Sequence, residues 1–189
     1  MPSAFHIPAA DMRGPFARLV QAVARRVYGR VPDNLAVLWH HPPVLRATLA
    51  HEGRVARWRA LDEDLKAYAV MASAAVIGCS WCLDFGYYLA HDKGLDEAKV
   101  REVPRWRDSG AFTPLEREVM AYAEAMSATP PHVEEADVVS LRRQLGERAV
   151  VELTMMVAVE NQRSRFNHAA GLASQGFSDV CDLPPREVR

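Results

Sequence analysis

The sequence predicts an all-α fold. Apolar residues recur at intervals of three and four along nearly the whole chain, as in Phe16, Leu19, Val20, Val23 and Val27, which is the period of a helix face. No sustained alternating stretch of the kind a half-buried strand needs is present. The punctuation is also helical, with prolines and glycines placed at element ends rather than between paired strands.

Taken in order, the periodicity predicts helices over 13–28, 33–40, 44–58, 62–77, 80–93, 95–103, 114–127, 133–145 and 147–173. Pro32-Asp33-Asn34 separates the first from the second, and Pro42-Pro43 precedes the third. Gly94 after Lys93 is a C-terminal stop. Thr113-Pro114-Leu115-Glu116 is a capping box with proline at the first helical position, so Thr113 should cap a helix running to about Ser127. Thr129-Pro130-Pro131 turns the chain, and Gly146 ends the helix before the last one. A weak internal repeat emerges when Leu65 to Ala90 is laid on Val150 to Gln175. Cys79, Cys82 and Gly86 then fall opposite Ser164, Asn167 and Gly171, and a duplicated helical unit would account for the match.

With 189 residues, 49% hydrophobic and 25% charged, the chain can bury a core without disulfide staples. A formal net charge of −1 provides no field for collecting nucleic acid or anionic lipid. The clusters Arg25, Arg26, Arg30 and Arg54, Arg57, Arg59 fall at helical spacing and read as solvated faces. Asp11 and Arg13 interrupt the N-terminal region, which does not read as a secretory signal. The longest apolar run, Ala67 to Cys79, is shorter than the roughly 20 residues a bilayer requires. A cytoplasmic protein without nucleic-acid or membrane partners is the expectation.

Two of the three cysteines form Cys79-Ser80-Trp81-Cys82, directly after Gly78, where one long apolar helix closes and the next opens. At a helix N-terminus a sulfur faces unpaired N–H groups and the positive end of the helix dipole, both of which favour thiolate. Residues i and i+3 share a face, so one sulfur can attack a substrate and the other resolve the product. As zinc ligands the pair would need two further residues, and there is no second C-x-x-C and no H-x₃₋₅-H. A thioredoxin-like reading would need a preceding strand. Two ordinary buried cysteines remain the plain alternative.

The block Leu61-Asp62-x-x-Leu65, the C-x-x-C, Thr113-Pro114-Leu115-Glu116-Arg117, Tyr122-Ala123-Glu124-Ala125 and the late Asn161-to-Gly171 segment together resemble the alkylhydroperoxidase D and carboxymuconolactone decarboxylase superfamily. The resemblance covers roughly residues 30–178. It implies an alkylhydroperoxidase-D-like, internally duplicated helical domain at 30–178, preceded by an N-terminal helical extension at 1–29 and followed by a C-terminal tail at 179–189. It also implies a trimeric or hexameric homo-oligomer and a thiol-disulfide oxidoreductase or peroxidase. Cys79 and Cys82 would then be catalytic, reducing a hydroperoxide or a protein disulfide at the expense of a thiol reductant. No organic cofactor and no metal are expected, since the chain has no phosphate-binding glycine motif and the cysteines themselves carry the electrons. The alternatives are a non-catalytic redox-responsive or small-molecule-binding helical oligomer and, third, a decarboxylase-like enzyme.

The chain also departs from the family. Peroxidase members carry a glutamate twelve residues before the first cysteine and a histidine four after the second, as a proton relay. Here those positions are Ala67 and Gly86, neither of which moves a proton. His91 lies 180° around the helix from Cys82 and about 13 Å along it, too far to substitute. Asp84 reads as a first-turn carboxylate that favours the helix N-terminus. Tyr87 and Tyr88 read as packing aromatics. Glu152 falls opposite Ala67 in the repeat and is the remaining acid to consider. Arg163, Arg165, Asn167 and His168 read as structural hydrogen-bonders, Trp39 to Pro42 as packing and turn residues, and Cys181 as an incidental thiol in a terminal loop.

Overall fold

In a computed structural model, residues 5–181 are described, and among them are nine α-helices, two 3₁₀ turns and no strand. The helices are α1 (Pro15–Tyr28), α2 (Asp33–Leu38), α3 (Pro42–Val55), α4 (Glu63–Ile77), α5 (Ser80–Asp92), α6 (Glu97–Val100), α7 (Pro114–Ser127), α8 (Glu135–Leu145) and α9 (Glu147–Ala169). The 3₁₀ turns are Val103–Asp108 and Phe177–Val180. Most of the expected tail, residues 182–189, lies outside the described residues.

The helix ends follow from local chemistry. Asp62 caps α4 by accepting the N–H groups of Asp64 and Leu65 at 3.0 and 3.3 Å. Thr113 and Glu116 form the expected capping box on α7, with Glu116 N–H to Thr113 Oγ1 at 3.3 Å and Thr113 N–H to Glu116 Oε2 at 2.7 Å. Several ends differ from the sequence expectation by two residues or more, and three of them have a plain local cause. Pro42 and Pro43 do not merely precede α3 but form its first turn, where a missing N–H costs nothing. The expected helix 95–103 is split: α6 stops at Val100, and Pro104 fits the first turn of the following 3₁₀ segment. The last long helix stops at Ala169, two residues before Gly171, which has φ 74°.

The core explains the architecture. α4 packs against α7 and α9 and hands directly on to α5. Ala69, Ala72 and Ala74 of α4 are fully buried, and their small side chains let the neighbouring helices approach closely. Around them lie Tyr68, Val119, Met120, Leu153 and Val157, none more than 1% exposed. A second cluster, of Val37, Ala74, Cys79, Trp81, Cys82, Ala170, Leu172 and Phe177, encloses the C-x-x-C. α1 differs from the rest: only Ala17 and Ala24 are buried, while Phe16, Leu19, Val23 and Val27 stand exposed along one stripe. No described helix is long and apolar enough to cross a membrane.

Candidate functional site

The site begins at a helix break. Gly78 adopts φ 81°, a left-handed conformation in which an ordinary residue costs roughly 1–2 kcal/mol. Its N–H donates to Ala74 O at 3.0 Å and that of Cys79 to the same oxygen at 2.9 Å, so the end of α4 is closed and the chain reverses at once into α5. Cys79 is thereby the N-cap of α5. Its sulfur accepts the N–H of Cys82 at 3.2 Å, the place an oxygen would fill in an ordinary cap.

Cys79 and Cys82 are joined by a disulfide, with Cα atoms 5.3 Å apart. Cys79 is 1% exposed and Cys82 7%, so both are buried and Cys82 is the less deeply buried residue. Asn167 of α9 donates from Nδ2 to Cys82 Sγ at 3.3 Å and is itself buried. The repeat register had already set Cys82 opposite Asn167, a residue read from sequence as structural. α9 runs unbroken where α4 gives way to α5, so its side chain can reach across to the first repeat's sulfur.

An aromatic wall flanks the pair. Trp81 stacks on Phe85 at 5.1 Å, and Phe177 meets Phe85 edge-on at 5.0 Å and Trp81 at 5.9 Å. Tyr88 continues the row at 6.0 Å from Phe85. Gln175 fastens this wall to the N-terminal region: its Oε1 accepts Trp81 Nε1–H and Asp33 N–H, both at 2.8 Å, and its Nε2 donates to Val31 O at 3.3 Å.

Asp84 is not chiefly a first-turn charge, as the sequence suggested. It is 4% exposed, and its carboxylate accepts Gln175 N–H at 2.9 Å, Phe177 N–H at 3.0 Å, Ser178 N–H at 2.8 Å and the Ser178 hydroxyl at 2.7 Å. Burial alone would raise its pKa, but the donors from Ser178 and Phe177 outweigh burial and hold the carboxyl below its usual range. Sequence offers no sign of this, because the partners lie more than 90 residues away.

Glu152 is equally committed elsewhere. It lies 2.7 Å from Lys66 Nζ and accepts Ala60 N–H at 2.6 Å. Burial pushes its pKa up, but Lys66 and the backbone donors bring it net below the usual value, so it is an ion-pair carboxylate and not a proton source. Glu160 was missed altogether. It is 2% exposed, accepts the Ser164 hydroxyl at 2.6 Å and lies 3.4 Å from Arg163, which also donates to Glu52 at 2.9 Å. Burial raises its pKa against the opposing pull of Arg163. Glu160, Ser164 and Asn167 recur at helical spacing on a buried face, a polar stripe that could have been read from sequence.

Of the two relay positions, the one at Gly86 is closed. A Cβ at Gly86 would stand 3.2 Å from Met71 Cγ, so Met71, one turn after Ala67 on α4, fills the space beside Gly86. Tyr87 is fully buried in the main core. His168 is exposed, and Arg165 donates to Ser127 O and Thr129 Oγ1, each at 3.1 Å. His41 caps α3 and His40 lies 2.8 Å from Pro8 O, the turn roles expected of them.

Residues 42–125, from the start of α3 into α7, match the carboxymuconolactone decarboxylase family. The matched stretch contains the Cys79-x-x-Cys82 motif that carries the resemblance to the alkylhydroperoxidase D and carboxymuconolactone decarboxylase superfamily. Its sequence is 29% identical over 163 residues to YnjA, an uncharacterised protein of Escherichia coli (strain K12), covering 86% of this chain and 88% of that one. The fold is shared with the debrominase Bmp8, solved in complex with 2,3,4-tribromopyrrole, at a TM-score of 0.80 and 20% identity over 95% of this chain and 98% of that one. It is shared too with a peroxidase-related protein of Ralstonia eutropha JMP134 described as an alkylhydroperoxidase D core, at a TM-score of 0.74 and 19% identity over 96% and 100% of the two chains. At such identities the family likeness of these structures is one of fold.

The Asp84 clamp has a measurable pH signature. Its pKa is lower folded than unfolded, so its stabilisation is complete above the unfolded value of 3.8 and is lost as pH falls through the lower folded one. Asp84→Asn should cost about 1–3 kcal/mol near neutrality. Urea unfolding of both proteins should show this difference shrinking steadily as pH is lowered below about 4.

Proposed function

We propose that the protein is a thiol-disulfide oxidoreductase of the alkylhydroperoxidase D type, with Cys79 and Cys82 as its catalytic pair. The observation that carries this reading is the C-x-x-C set at a helix start, bonded as a disulfide and walled by a second apolar cluster. Cys82, the less deeply buried of the two residues, attacks: its thiolate takes the outer oxygen of a hydroperoxide, the O–O bond breaks, and the alcoholate leaves with a proton. Cys79, held against the N–H of Cys82, then attacks Cys82 sulfur, closing the disulfide and releasing water. A dithiol reductant reopens the pair. A partner disulfide would be reduced through the same two sulfurs by exchange.

The aromatic row favours a second substrate class for the same pair, a halogenated aromatic ring stacked on the half-buried Phe85 or Tyr88, with Trp81 and Phe177 packed behind them. There the two thiols supply two electrons and the protons, a C–H bond replaces the carbon–halogen bond, halide leaves, and the disulfide is again the product. Reduced protein offered either a hydroperoxide or 2,3,4-tribromopyrrole should lose two thiols per substrate consumed. Cys82→Ser should abolish consumption, while Cys79→Ser should permit a single stoichiometric attack and leave Cys82 modified, visible by intact mass. Unchanged turnover in Cys82→Ser would overturn the assignment.

The leaving alcoholate needs a proton, and with Ala67 and Gly86 in the relay positions that assistance, typically worth about 10²–10⁴-fold, is missing. Peroxide turnover is therefore expected to be slow. Ala67→Glu with Gly86→His should raise it only when Met71→Ala is added, because Met71 occupies the space beside Gly86. The three proteins are compared by initial rate at matched thermal stability; a double variant as fast as the triple would show that Met71 is no obstacle.

The working form is a homo-oligomer. Phe16, Leu19, Val23 and Val27 of α1, each more than half exposed, form a stripe that a second copy would bury. Light scattering at micromolar concentration should return at least twice the mass of one chain, and Val23→Glu should lower it.

A further inference from the structure

We propose that His91, Glu97 and Cys181 form a binding site for one divalent transition-metal ion of the zinc class, at the end of α5 opposite to the disulfide. Ligand atoms of the three residues, an imidazole nitrogen, a carboxylate oxygen and a thiol sulfur, all lie within 4.8 Å of one another. They come from three separate segments: the last turn of α5, the first residue of α6, and the residue that follows the Phe177–Val180 turn. All three are half-buried, so the site is reachable from solvent while partly screened from it.

The Asp84 clamp explains why they converge. Asp84 and His91 are seven residues apart on α5, two turns on and about 20° around, so they share a face. Asp84 holds Gln175, Phe177 and Ser178 on that face, and the 3₁₀ turn then carries the chain along it. Cys181, whose N–H donates to Ser178 O at 3.0 Å, is thereby delivered to His91. Glu97 arrives from the other side, because Gly94, at φ 70°, turns the chain back after α5 and Asp96 caps α6. Its Oε1 contacts His91 Nδ1. An ion pair between His91 and Glu97 would account for two of the three residues. It does not call for a thiol beside them, and it is the sulfur that turns the pair into a metal-ligand set.

The donor set selects the ion. One nitrogen, one oxygen and one sulfur are poor for calcium or magnesium, which take oxygen cages, and are well suited to zinc or cobalt in tetrahedral coordination. Three protein ligands leave the fourth position to water. Binding converts the Cys181 thiol to thiolate and releases its proton to solvent, with no change of oxidation state. The ion would tie the end of α5, α6 and the C-terminal turn to one another. The site stands about 13 Å along α5 from Cys82, so it does not depend on the redox reading.

The test uses the full chain with the Cys79–Cys82 disulfide closed, which leaves Cys181 as its one thiol. Cobalt(II) is titrated in and followed by absorption. The expected result is one ion per chain with a thiolate-to-cobalt charge-transfer band, displaced by equimolar zinc. The band should vanish in Cys181→Ser. His91→Ala and Glu97→Gln should each weaken zinc, measured by competition with a chromophoric chelator, by more than the roughly 10–100-fold that loss of an outer partner costs. Independently of the variants, zinc should slow alkylation of Cys181 in the unaltered protein. Absence of the band, its survival in Cys181→Ser, or alkylation indifferent to zinc would each overturn the proposal.

Discussion

The left-handed turn at Gly78 is the constraint on which the site rests. α4 runs through the centre of the molecule and must end where its buried face runs out, yet α5 has to begin within one residue for Cys79 to become its cap. A Cβ at Gly78 would meet nothing within 4 Å, so it is the backbone conformation and not lack of space that demands glycine there. With that reversal in place, the first sulfur accepts an N–H of the new helix and the second falls on the same face one turn later. The placing of both sulfurs at a helix start, on which the proposed redox reading rests, is therefore a by-product of how a core helix is terminated.

The rest of the pocket reflects competition between packing and chemistry. Where related peroxidases would need two ionisable side chains, this chain places Ala67 and Gly86 and lets Met71 close the gap. Packing occupies the place beside Gly86, and neither alanine nor glycine has a proton to give. The buried acids that remain have other duties: Glu152 answers Lys66, and Glu160 is bound into Ser164, Arg163 and Glu52. Around the sulfurs the buried side chains are aromatic and amide, Trp81, Phe177 and Asn167 among them.

Local features were legible in the sequence and distant ones were not. Thr113 with Glu116, and Gly78 before Cys79, each announce a helix end within four residues, and the structure places those ends accordingly. The absence of the relay follows from the resemblance, which places its two positions on Ala67 and Gly86. By contrast, the Asp84 clamp, the Asn167 contact to Cys82 and the meeting of Cys181 with His91 join residues 85 or more positions apart. No periodicity encodes such pairings. The repeat register came closest, setting Asn167 opposite Cys82, but a register shows equivalence and cannot by itself show contact.

Gln175 and Asp84 have a further consequence. Between them they hold the C-terminal turn on α5 and the 31–33 segment on Trp81, while Ala170 O accepts the N–H of His6 at 2.9 Å. Both ends of the described chain are thus latched over the two cysteines. Linkage is reciprocal: whatever free energy separates the latched and opened forms in the oxidised protein from that in the reduced protein must reappear, undiminished, as a displacement of the midpoint potential of the sulfur pair. Under the proposed redox reading the chain ends are in that sense part of the electrode, and anything that grips or trims them acts on the sulfur pair without approaching it.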